Sequence, residues 1–192
     1  MKKMAVFIRK LTDVHIVAIL MFLTIRFCKP DFFEGKYVFI LMLVSIGIIP
    51  LLNYPVRLIH IVADVIDRSA YRYISILLAL AGYVICSIGL IIVKAEQKFW
   101  VIDLAYFISG IAILLLYCLA GIEVSGHSCG IAGPITIFAL LHVYPAVIIG
   151  VIIEVIVCFI SMIYGYHNVP QLMAGIMIGV LSCLLPAFVL GF

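Results

Sequence analysis

Ser125-Gly126-His127-Ser128 interrupts one of the most apolar stretches of a 192-residue chain, and His167 follows about forty residues later in Tyr166-His167-Asn168-Val169-Pro170-Gln171. Each histidine stands where an apolar helix is expected to begin. Polar groups are costly where no water solvates them, so the pair marks a candidate site. A helix N-terminus offers unpaired N–H groups and the positive end of the helix dipole, the usual seat for a phosphate. Gly126 lets an anion approach the backbone closely, and His127 adds a side-chain donor. Gln171 lies one helical turn beyond His167, where its amide can orient the imidazole. Upstream, the segment from Asp64 to Arg72 carries Asp67 and places Arg68 and Arg72 four residues apart, on one face if helical. Guanidinium groups pair with phosphate oxygens two at a time. Plainer roles exist for each group: Ser125 as a helix cap, Gly126 and Gly130 as a packing pair, Asp64 and Arg68 as a juxtamembrane ion pair.

These residues must be held by membrane helices. Hydrophobic residues make up 67% of the chain and charged residues 11%, with mean hydropathy +1.38. Soluble domains carry about 25% charged residues, so the chain is expected to be an integral membrane protein. The formal charge of +3 is small and its basic residues sit at segment ends, which excludes a nucleic-acid-binding patch. The six cysteines, including Cys129 and Cys158, form no CxxC pair and read as apolar packing groups. Lys2, Lys3, Arg9 and Lys10 precede an apolar run from His15 to Leu23 that ends without a small-residue cleavage site, so the run reads as a first spanning helix.

Charged and Pro/Gly-rich breaks divide the chain into candidate spans at 12–28, 37–54, 73–94, 100–122, 128–144, 146–164 and 169–191. The expected fold is all-α: one polytopic transmembrane helical bundle of six or seven spans over residues 1–192. Two spans separate the Arg68 segment from His127, and two more separate His127 from His167. An even number of crossings returns the chain to the same face, so the three segments can converge. Seven basic residues fall on that face and five on the other, which leans toward a cytoplasmic site. Phe99 and Trp100 read as interfacial anchors, Glu154 as a carboxyl inside the sixth span, and Gly175 with Gly179 as a packing groove.

A Ser-Gly-His at a helix start, followed one helical hairpin later by a histidine with a polar residue four positions on, resembles the membrane-bound type 2 phosphatidic acid phosphatase and haloperoxidase superfamily. Its motifs run K-x6-R-P, P-S-G-H and S-R-x5-H-x3-D. The likeness covers Glu123 to Gly179 best, with a phosphatase core expected over 60–192, and is greatest to divergent prokaryotic members. It implies hydrolysis of a membrane lipid phosphate or polyprenyl diphosphate through a phosphohistidine, in a prokaryotic cell membrane, with no metal and no cofactor. By that likeness His167 is the nucleophile, His127 handles the leaving-group proton and Gln171 stands in the orienting position. Arg68, Arg72, Ser125 and Gly126 would cradle the phosphate. Three positions differ from the pattern: Gln171 replaces an aspartate, Ser161 an arginine, and Glu123 a basic residue. These differences keep a second reading open, a catalytically inactive member that binds or carries anionic lipids. A third is a haem protein using His15 or His142.

Overall fold

The computed structural model describes residues 2–33, 35–53 and 68–192, with side chains described for 7–33, 35–53 and 72–192. Every regular element among the described residues is helical. A short helix α1 (Lys2–Leu11) precedes α2 (Val14–Cys28). Helix α3 (Lys36–Met42) runs on through a π-helical turn (Leu43–Ile48) and a 3-10 turn (Ile49–Leu52). Then come α4 (Arg68–Ile92), α5 (Gln97–Ala120), α6 (Gly126–Leu140), α7 (Tyr144–Ile163) and α8 (Val169–Leu190).

Four of these, α4 from Arg72 onward, α5, α7 and α8, are long and apolar enough to cross a bilayer. Three shorter apolar stretches, Val14–Cys28, Lys36–Leu52 and Gly126–Leu140, pack among them. The polarity is inverted relative to a soluble bundle. Helix α7 turns Ile148, Ile152, Val155 and Phe159 outward, while its buried stripe is Glu154, Val157 and Ser161. Apolar residues outside and polar residues within suit a lipid surround, and the protein is an integral membrane protein.

Helix α6 is the hub, packing against α2, α5, α7 and α8. It is buried all round because it is enclosed all round, which is why it shows no amphipathic stripe. The Gly175/Gly179 pair of α8 lies directly on it. A Cβ on Gly175 would collide with the Ser125 carbonyl, and one on Gly179 would stand 2.6 Å from the Cys129 carbonyl. Backbone cannot yield as a flexible side chain can, so Gly179→Val is expected to cost about 3 kcal/mol. Thermal unfolding in detergent, followed by tryptophan fluorescence, should record that loss. In the second proposed pair Gly130 packs on Val14 of α2, at 2.7 Å for a built Cβ, whereas Gly126 faces open space.

At the opposite end of the bundle, Phe99 does not serve as a lipid-facing anchor. It is 3% exposed and packs against Phe32 and Phe33 at ring separations of 5.5 and 5.7 Å, with the Lys98 ammonium 5.1 Å from its ring centre. An aromatic cluster closes the bundle there, because the turn at Pro30–Phe32 folds back over the start of α5.

Candidate functional site

The starts of α2, α4, α6 and α8 and the end of α7 meet at one end of the bundle. There a cavity of about 300 Å³ is lined by Arg9, Arg72, Gly126, His127 and His167 among its polar and small residues. Five residues spread over nearly the whole sequence thus share one space.

His167 is positioned by both neighbouring helices. Helix α7 stops at Tyr164, and Gly165 takes a left-handed conformation (φ 63°) that turns the chain sharply. The N–H groups of Tyr166 and His167 then both point to the Ser161 carbonyl, at 2.9 and 3.4 Å. On the other side Asn168 caps α8 in a capping box with Gln171. Gln171 Oε1 accepts from the Asn168 N–H at 3.1 Å and lies 3.2 Å from His167 Nδ1. An oxygen already accepting from an amide fixes the neighbouring Nδ1 as a donor, which leaves the lone pair on Nε2. Burial holds the His167 pKa below its ordinary value, the Gln171 hydrogen bond opposes this, and the Arg9 and Arg72 cations push it down further. The ring is therefore neutral at neutral pH.

Arg9 is a functional candidate that its place in the sequence marks only as topological charge. Its Nη1 donates to Ser161 Oγ at 3.0 Å, and its guanidinium carbon lies 4.1 Å from the centre of the Tyr166 ring. Ser161, the position where the family pattern has an arginine, thus holds the guanidinium of an arginine from another helix. A short basic helix ahead of the first apolar run was the available signal. Its contact with α7 was not.

His127 Nε2 lies 3.1 Å from the Arg9 carbonyl oxygen. A carbonyl only accepts, so Nε2 carries the proton and Nδ1 is the free nitrogen. Gly126 borders the same cavity, and its open side is the space an anion would need. Ser125, expected in the cradle, is placed differently. It is fully buried, and its hydroxyl is spent on capping α6, accepting from the Ser128 N–H at 3.3 Å and donating to Ser128 Oγ. Its backbone N–H donates to the Gln171 carbonyl at 3.1 Å, tying the starts of α6 and α8 together.

Arg72 reaches the cavity while donating from Nη2 to the Val124 carbonyl at 2.7 Å and pairing through Nη1 with Glu123 at 3.4 Å. The pairing offsets the repulsion that Glu123 would present to a phosphate. Arg68 begins α4, and its side chain lies outside the described residues, as do Asp64 and Asp67. Glu154 is buried on α7, accepting from the Cys158 thiol at 3.4 Å, away from the cavity. Asp103, to which no sequence motif drew attention, is fully buried near the start of α5 and accepts from Ser87 at 2.6 Å. His15 lines the cavity, whereas His142 sits beyond the far end of α6, 2.9 Å from the Tyr144 hydroxyl. Helix α6 is about 22 Å long, so these two histidines do not converge on one haem. Among the described residues no group of three or more metal-ligating side chains comes together.

No family model, no curated protein and no solved structure matches the chain.

Proposed function

We propose that this protein is a membrane phosphatase that hydrolyses a lipid phosphate or diphosphate through a phosphohistidine, as a divergent member of the type 2 phosphatidic acid phosphatase superfamily. The observation that carries the reading is His167 itself. Its Nδ1 is tied to Gln171 and its Nε2 lone pair is free, in a cavity it shares with His127, Arg9 and Arg72. A nucleophile oriented by a third group and flanked by cations is the arrangement phosphoryl transfer requires.

In the first step the Nε2 lone pair attacks phosphorus and the bond to the lipid oxygen breaks. His127 takes a proton on Nδ1 from the bound phosphate monoanion and passes it to that oxygen, while the Arg9 carbonyl accepts from Nε2–H and holds the ring. The negative charge of the bound phosphate favours the protonated ring that this step needs. In the second step water attacks phosphorus, the P–N bond breaks, and His127 takes the proton from the water. Inorganic phosphate leaves with that proton, and both imidazoles return to their starting states. Arg9, Arg72 and the Gly126 amide face the oxygens that carry the transferring charge.

We take the three shorter apolar segments as crossing along with the four long helices, seven in all. The polar ends of α2, α4, α6 and α8 then lie on one face, the cytoplasmic face of a prokaryotic cell membrane by its basic residues. The test is phosphate release by purified protein from phosphatidic acid, lysophosphatidic acid and prenyl diphosphates. Release from none of them overturns the reading. Lipid binding without release would instead favour an anionic-lipid carrier.

The pH dependence follows from His167. Its lowered pKa keeps Nε2 unprotonated, so activity should persist below pH 6.5 and fall only as the ring protonates at lower pH. Gln171→Glu preserves the capping box and places an anion beside Nδ1. That change raises the pKa and should move the acid limb of the kcat/KM profile toward neutrality, which a pH–rate series would record.

A further inference from the structure

The cavity does not end at the polar residues. On α4 it continues from Arg72 to Tyr83 and on α6 from Gly126 to Ile137, eleven residues in each case. At about 1.5 Å per residue that is a depth of about 16 Å, roughly half of a 30 Å hydrocarbon core. Two independent helices give the same depth, and it matches one leaflet.

The walls are mainly apolar or small, with Ile76, Ala79, Ile113 and Gly133 lining the space, although His15, Asn53, Ser75 and Ser109 also border it. A Cβ built on Gly133 would rest in ordinary contact with Cys183 Sγ at 3.8 Å, so the glycine leaves this wall smooth without being needed to avoid a clash. The floor is bulky: Tyr83 and Tyr106 are buried with ring centres 5.7 Å apart, and Ile137 is 1% exposed. Packed interiors hold few voids larger than a water molecule. Spread over a depth of about 16 Å, a cavity of about 300 Å³ is long and narrow, the form of a single extended hydrocarbon chain.

The geometry points to a chain-binding chamber: the cavity takes one alkyl or isoprenoid chain of the lipid whose phosphate lies between His127 and His167. This assignment rests on the proposed phosphatase reading for the position of the phosphate, and it narrows the substrate class. The lipid enters with a single chain inside the bundle, and the tyrosine floor sets how much of that chain is recognised. A substrate whose chains stayed in the bilayer would leave an apolar chamber unfilled beneath the site.

The test is a series of n-alkyl monophosphates from four to sixteen carbons, with the protein in lipid nanodiscs, reading phosphate release and, in parallel, binding of the matching non-hydrolysable n-alkyl phosphonates. Each added methylene should improve kcat/KM and phosphonate affinity about fourfold until the chamber is full, near twelve carbons, and then no further. Ala79 lies seven residues, or about 10 Å, below Arg72. Ala79→Phe should therefore bring the plateau to shorter chains, and Ile137→Ala at the floor should extend it. The two changes act in opposite directions, so failure of one variant to fold leaves the other decisive. A flat length profile, a profile still rising at sixteen carbons, or a plateau that a folded variant leaves in place would overturn the chamber. Phosphonate binding that shows the plateau and its shifts, without phosphate release from any ester, would sustain the chamber and sink the phosphatase.

Discussion

His167→Ala is expected to reduce phosphate release from a lipid phosphate by about 10⁴-fold or more, to the level of the detergent blank. The size follows from the proposed covalent route, since the substitution removes the one nitrogen assigned to form the bond to phosphorus that divides the reaction into two steps. Binding should suffer far less, because Arg9, Arg72 and the start of α6 remain to hold the anion. The informative measurement is thus a split: kcat lost and affinity for a non-hydrolysable phosphonate kept within about tenfold. Brief incubation of the wild type with ³²P-labelled substrate, followed by alkaline quench, should trap label in an acid-labile form, and His167→Ala should trap none. Activity that survives the substitution would sink the assignment of the nucleophile.

Arg9→Ala is expected to lower kcat/KM by about 10²- to 10³-fold, the usual cost of removing one preorganised group that stabilises transition-state charge. Its guanidinium is held by the Ser161 hydroxyl and the face of Tyr166, so its direction is fixed before any phosphate arrives. Arg9→Lys should recover only part of the loss, because an ammonium cannot reproduce the planar fork. The decisive variant combines Arg9→Ala with Ser161→Arg. Position 161 is where the guanidinium now rests, and an arginine rooted there should restore at least tenfold of the missing activity. Failure of the double variant to improve on Arg9→Ala, with both folded, would show that the side chain of Arg9 acts by seating α1 against α7 and not through its charge at the phosphate. Phosphonate binding separates these outcomes from loss of the fold.

The helical class and the apolar segments were legible because each rests on local chemistry, and crossing parity put His127 and His167 on a common face. Bilayer thickness sets segment length, and Pro, Gly and charge set the breaks. The Gln171 contact was legible for the same reason, since Asn168-x-x-Gln171 is a local capping pattern and His167 lies one turn away. Ser125 shows the limit of such reading. A serine before Gly-His can face a ligand or cap a helix, and only the approach of α8 to within backbone contact decides for the cap. Phe99 shows it too, for an aromatic next to Lys98 suits an interface or a closed cluster equally well until the turn at Pro30–Phe32 folds over it.

The sequence by itself determined that this is a helical membrane protein with polar residues gathered at helix starts, because hydrophobic length and the parity of crossings depend only on order along the chain. Tertiary structure alone decided which of those residues share a space. It brought Arg9 to Ser161 across 152 positions, paired Glu123 with Arg72, and left Gly126 open while burying Ser125. It also created the deep apolar chamber beneath the histidines. The physical reason is that periodicity tells which face of a helix is buried but not against which neighbour. A hydrogen bond, an ion pair or a cavity belongs to the contact between helices, and that contact is set by how their surfaces fit together.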